Sequence, residues 1–80
     1  MSKIAILLRN LALAYGGYSQ FSTEDIGNAI SGNIRNQGWD YEKIEDYALE
    51  AATILSSRWE DDNVEEDFDS ILNTLKTNKY

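Results

Sequence analysis

The chain has 80 residues and a net charge of −7, and it contains neither cysteine nor histidine. This composition excludes disulfides, thiolate nucleophiles, ordinary zinc sites and histidine-dependent general bases. The length predicts one domain, covering residues 1–80, with a core of modest size. No segment approaches the roughly 18 consecutive apolar residues that span a bilayer, and we place the protein in the cytoplasm by default.

The first predicted helix covers residues 3–15. Its apolar side chains point all round the helical cylinder instead of along one stripe. Ser2 can cap the start of this helix, and Gly16-Gly17 predicts its end just after Tyr15. A helix that is apolar on most of its circumference belongs in the interior of a domain. The pattern therefore predicts that the first helix is the central element of the fold.

The second predicted helix has the clearest start signal in the chain. Ser22 at the N-cap and Asp25 three residues later match a capping box, and Phe21 and Ile26 occupy the two positions of a hydrophobic staple. The helix is expected to end near Gly38.

Two glycines interrupt this second helix. Gly27 and Gly32 each weaken it by about 1 kcal/mol relative to alanine. We therefore expect either a close approach to the first helix at these glycines or a bend near Ser31-Gly32.

Two further helices complete the pattern. The third is predicted to begin with Asp40 as N-cap, to run for nearly twenty residues and to end at the acidic residues 60–62. Asn63 offers the cap of a fourth helix, whose narrow apolar stripe continues to Leu75.

Four helices with short connections favour antiparallel neighbours, so we predict an all-α, compact four-helix antiparallel bundle with the first helix central. The absence of proline and of alternating β-branched runs argues against a sheet. In such a bundle the first and third connections lie at the same end. Tyr18 and Phe21 should therefore lie near Trp59, with Trp39 at the opposite end.

The charge is unevenly distributed along the chain. Residues 1–38 hold two acids and three bases, whereas residues 39–80 hold twelve acids and four bases. Phosphate backbones and anionic membranes bind clustered lysine and arginine, which the chain lacks. We therefore expect no direct binding to nucleic acid and no membrane binding.

Two sets of carboxylates stand out. One set, on the third helix, repeats at every fourth residue and so follows a single ridge. The other consists of the seven acids within residues 60–69, a segment that contains no base. We predict that nine of these acids, with a tryptophan at their edge, form a partner-binding surface: Glu42, Asp46, Glu50, Trp59, Glu60, Asp61, Asp62, Glu65, Glu66 and Asp69.

The acids allow three other interpretations. The acids could simply form a solvated face that complements helix dipoles and keeps the protein soluble. The spacing from Asp61 to Asp67 resembles the start of a calcium-binding loop, but Glu66 stands where that loop needs glycine. Paired carboxylates in catalysis need a walled pocket, for which a bundle of this size has little room. We therefore predict no enzyme activity, no catalytic residue, no metal and no cofactor.

The charge pattern favours a small acidic inhibitor or antidote whose partner is a basic protein, either a nucleic-acid-binding protein or a nuclease. In size, acidity and helix content the chain is similar to nuclease-immunity proteins, antitoxins and phage anti-CRISPR proteins. That similarity of class implies inhibition by mimicry of nucleic acid. The alternative is a non-enzymatic structural or adaptor module that uses apolar surface on the second and fourth helices. The protein would be a monomer in the first case and a homodimer in the second.

Overall fold

The computed structural model describes residues 2–78. Its four α-helices are α1 (Lys3–Tyr15), α2 (Thr23–Gln37), α3 (Ile44–Trp59) and α4 (Val64–Thr77). Short 3₁₀ turns precede α2 and α3, and no strand occurs within residues 2–78. The structure confirms the predicted all-α fold with four helices packed as a bundle.

The predicted ends of α1 and α2 are confirmed. The Ser2 hydroxyl accepts a hydrogen bond from a first-turn amide of α1. At the start of α2, the Ser22 hydroxyl accepts from the Asp25 amide at 3.2 Å, and the Asp25 carboxylate accepts from the Ser22 amide at 2.9 Å. Both helices end at a left-handed glycine, Gly16 with φ 87° and Gly38 with φ 73°. Each end is therefore determined by residues next to it in the chain.

The starts of α3 and α4 differ from the prediction. The Asp40 side chain accepts a hydrogen bond from the Glu42 amide and so caps the 3₁₀ turn, and α3 itself begins at Ile44 and has 16 residues. Asn63 occupies the N-cap position of α4 but makes no capping hydrogen bond with its side chain. Its ψ of 35° lies outside the extended region that such a cap requires. The predicted Asn63 cap is therefore wrong.

The helices alternate in direction along the chain, and α4 packs against both α2 and α3. The hydroxyls of Thr23 and Ser70 lie 2.6 Å apart, and the Asn78 side-chain amide donates to the Asn28 side chain at 2.9 Å. From the first pair to the second, the residue number rises both on the α2 side and on the α4 side. The two helices α2 and α4 therefore run in the same direction. Since α1 also contacts α2 and α3, the order around the bundle is α1, α2, α4, α3.

The structure does not confirm the prediction that α1 is central. Ile4, Leu7 and Leu8 are buried against α2 and α3, but Leu13 is 75 % exposed and Ile6 is 45 % exposed. The packing partners cover one side of α1 and leave its other apolar side chains open to solvent. None of the helices within residues 2–78 combines the length and apolarity needed to cross a membrane.

The close helix approach expected at the α2 glycines involves α4. A Cβ built on Gly27 would lie 2.5 Å from the Cβ of Thr74, whereas nothing lies within 4 Å of a Cβ built on Gly32. Of the two alternatives expected at these glycines, a close approach to the first helix is therefore wrong, because Gly27 meets α4 and Gly32 meets no neighbour. Gly27 serves instead to bring the parallel pair, α2 and α4, into contact.

Candidate functional site

The aromatic side chains collect at the two ends of the bundle, as the short connections predicted. The Phe21 ring lies 6.0 Å from the Tyr18 ring and 6.2 Å from the Trp59 ring, centroid to centroid. The Trp59 indole N–H donates to the backbone carbonyl of Tyr18, which joins the end of α3 to the connection between α1 and α2. Trp39 lies at the other end, where the Lys3 ammonium is 5.8 Å from the centre of its ring.

The seven carboxylates of residues 60–69 lie at the same end as Trp59. We call this segment the acidic end. Glu60 ends α3 in a left-handed conformation with φ 55°. Most of the acids are exposed, whereas Asp61 and Asp67 are partly buried. Arg58, in the last turn of α3, is the nearest base in the sequence.

The other predicted acids lie elsewhere. Glu42 belongs to the 3₁₀ turn before α3, and Asp46 and Glu50 lie in the first half of α3. With a rise of 1.5 Å per residue, Asp46 is roughly 20 Å from Glu60 along the helix axis. The structure therefore divides the predicted surface into two groups. The first group consists of Glu42, Asp46 and Glu50. The second lies at the acidic end and comprises Trp59, Glu60, Asp61, Asp62, Glu65, Glu66 and Asp69.

Helix dipoles account for part of this charge. Glu42, Asp46, Glu65 and Glu66 each occupy the first turn of their own helical segment, where a negative charge is favourable. Because α3 begins later than predicted, Asp46 now belongs to this group. The remaining acids do not lie in the first turn of a helix, namely Glu50, Glu60, Asp61, Asp62 and Asp69. Four of those five lie at the acidic end, which therefore carries charge that capping does not explain.

A cleft of about 650 Å³ opens at this end between the α1–α2 connection and the α3–α4 turn. We call it the aromatic cleft, and it is lined by Tyr18, Ser19, Phe21, Arg58, Trp59, Glu60 and Asp61. The Arg58 guanidinium carbon lies 5.4 Å from the centroid of the Tyr18 ring. The Ser56 hydroxyl donates to the carbonyl of Asp61 and so ties the following turn back to α3. Aromatic faces and carboxylates in one cleft favour the binding of a cation.

Asp67 was missed in the sequence analysis. Its Oδ2 atom is buried and has no hydrogen-bond partner among the described residues. Burial raises the pKa of this carboxyl above its usual value, and the nearby charges of Asp61 and Glu66 raise it further. Asp67 lies three residues after Val64 and four before Ile71, on the apolar stripe of α4. A search for charged residues on that stripe would have found it.

The raised pKa gives Asp67 a defined effect on stability. Because the folded-state pKa lies above the unfolded value, the ionised carboxylate destabilises the fold at neutral pH, and the lost stability returns as the pH falls through the raised pKa. Asp67→Asn should therefore raise the free energy of unfolding at pH 7, because it removes a charge that burial and the neighbouring carboxylates Asp61 and Glu66 disfavour. The difference from wild type should shrink as the pH falls through the raised pKa, because the folded wild-type protein then carries a protonated Asp67. Urea unfolding of wild type and variant, at pH 7 and at acidic pH, measures the stability gain and its disappearance.

Asp69→Asn is the matched control, because it removes one charge from an exposed position two residues away. It should change stability less at neutral pH. Equal gains from the two variants would show that general charge repulsion, and not the burial of Asp67, is responsible.

We compared the chain with protein-family models, with curated proteins and with solved structures. None of the three comparisons found a significant match.

Proposed function

We propose that this protein is a non-enzymatic inhibitor or antidote that binds the basic surface of a nucleic-acid-binding protein or nuclease. The observation that carries the proposal is the acidic end. Its carboxylates exceed what the start of α4 requires, and they lie beside an aromatic cleft. Buried aromatic anchors next to charged side chains are typical of protein-binding surfaces.

The arrangement of the acids suits a basic groove. Glu65 and Asp69 are one helical turn apart on α4 and are both exposed, so their carboxylates can form a row on the surface. A groove that normally holds phosphates presents rows of lysine and arginine to such carboxylates. Complementary charge speeds association and excludes other partners. This is binding in place of nucleic acid, and it requires no chemical step.

The test uses two variants of equal net charge. The first neutralises four acids of the acidic end: Asp61→Asn, Asp62→Asn, Glu65→Gln and Glu66→Gln. The control adds four positive charges at exposed neutral positions away from the acidic end: Asn10→Lys, Asn36→Lys, Gln37→Lys and Asn73→Lys. A pull-down from the source organism provides the partner, and titrations with each variant at low and high salt measure affinity.

We expect the first variant to lose about 100-fold in affinity, because four charges that face the partner are removed. The control should lose much less, and added salt should weaken wild-type binding steeply. Circular dichroism should show the same helix content in all three proteins. Equal losses from the two variants would mean that net charge, and not the acidic end, determines binding, and salt-independent binding would also contradict the proposal.

An adaptor that forms a homodimer is the second candidate, favoured by exposed apolar side chains. The sequence placed this surface on α2 and α4, but the structure exposes Ile6 and Leu13 on α1 and Leu49 on α3. Ile6 also lines a groove of about 480 Å³ between α1 and α2. Sedimentation separates the candidates, because apolar dimers resist salt. A salt-insensitive dimer supports the adaptor, and a monomer with a salt-sensitive basic partner supports the inhibitor.

A further inference from the structure

We propose that the aromatic cleft is a receptor for an arginine side chain of the partner, and that Arg58 occupies this receptor in the free protein. The inference rests on the proposed function and deepens it, because it names the chemical group that is recognised. The guanidinium would stack on the Tyr18 ring, and its N–H groups would face the carboxylates of Glu60 and Asp61.

The walls of the cleft are held in place before any partner binds. Phe21 is 4 % exposed, and its ring contacts those of Tyr18 and Trp59. The Trp59 indole is fixed by its hydrogen bond to the Tyr18 carbonyl. Rigid walls lower the entropy lost on binding, which makes a preformed aromatic site effective.

Arg58 shows which ligand the cleft accepts. Its guanidinium carbon already lies 5.4 Å from the centroid of the Tyr18 ring. The Arg58 side chain is exposed and lies in the last turn of α3, so it can leave the ring without disturbing the core. A guanidinium is planar and weakly hydrated and stacks on aromatic rings better than an ammonium does. A partner arginine would therefore replace Arg58 on the same surface.

The opposite end of the bundle provides an internal comparison. There the Lys3 ammonium lies 5.8 Å from the centroid of Trp39. The groove that these two residues line contains no carboxylate. A cation and a ring therefore occur at both ends, but only the aromatic cleft combines them with acids within residues 2–78. We therefore expect an added guanidinium to bind in the aromatic cleft, next to Trp59, and not at Trp39.

The experiment is a titration followed by NMR, with the two indole N–H signals as reporters. The probe is N-acetyl-arginine amide, and the control probe is the citrulline analogue, which has nearly the same shape and no charge. The Trp59 signal should shift and saturate with the arginine probe at millimolar concentration. The Trp39 signal should stay in place. The citrulline probe should move neither signal.

A variant of Arg58 tests its role as occupant. Arg58→Gln should tighten binding of the arginine probe about 2- to 5-fold, because the competing guanidinium is gone. Arg35→Gln removes the same charge from an exposed position on α2, outside the aromatic cleft, and should change the affinity less. Weaker binding by Arg58→Gln, or equal effects of the two variants, would overturn the role of Arg58.

No saturable shift at Trp59, or an equal response to citrulline, would overturn the inference as a whole. A different result would contradict the proposed function, namely that the variant with the neutralised acidic end still binds the basic partner as tightly as wild type does. Tyr18→Leu distinguishes the two, because it removes the ring and keeps the backbone carbonyl that holds Trp59. If Tyr18→Leu binds the partner as wild type does while the acidic-end variant does not, the function stands and the arginine receptor is wrong.

Discussion

Gly27→Ala is expected to destabilise the protein by about 2 kcal/mol, although alanine is the better helix former. The new Cβ would lie 2.5 Å from the Thr74 Cβ and 2.6 Å from its Cγ2. The Cβ of Thr74 is fixed to the α4 backbone, so α2 and α4 would have to move apart. Equilibrium unfolding in urea measures the loss.

Gly32→Ala is the control within the same helix. No atom lies within 4 Å of the added Cβ, so the substitution should stabilise the protein by about 0.5–1 kcal/mol. A second variant, Thr74→Gly, removes both clashing atoms and should reduce the cost of Gly27→Ala when the two are combined. Stabilisation by both alanine variants would show that α2 and α4 do not approach closely at Gly27.

Leu8→Ala is expected to destabilise the protein by about 3 kcal/mol, whereas Leu13→Ala should stay within about 0.5 kcal/mol of wild type. Both substitutions remove the same atoms from the same helix. Leu8 is 0 % exposed within the core, and Leu13 is 75 % exposed. Urea unfolding of the two variants therefore measures how far α1 is covered by its neighbours.

A comparable cost for Leu13→Ala would mean that α1 is covered on both sides. Repeating the measurement at several protein concentrations would then show whether Leu13 packs against a second copy of the chain or within the same molecule. A cost that grows with concentration indicates a second copy, and a constant cost indicates that the packing of α1 described above is wrong.

The features that the sequence predicted well depend on near neighbours. The reciprocal hydrogen bonds of Ser22 and Asp25 join residues three apart, and the left-handed ends at Gly16 and Gly38 need only the missing side chain. The shared location of Phe21 and Trp59 followed from short connections, which leave little choice of helix direction.

The features that the sequence did not predict depend on which helices are neighbours in space. An apolar stripe shows that a helix has a buried side, but it does not name the partner, so the contact of Gly27 with Thr74 could not be assigned. The apolar surface of α1 exceeds what two neighbouring helices cover. The division of the acids into two groups was also not predictable, because the number of charges in a sequence does not give the distances between them.

The direction of the helices also determines where the chain can be extended. Lys3 lies beside Trp39 at the far end of α1, and Asn78 follows the last turn of α4. With a rise of 1.5 Å per residue, each is roughly 20 Å along its helix from the acidic end. A fused domain, affinity tag or surface tether that precedes α1 or follows α4 would therefore leave that end unobstructed.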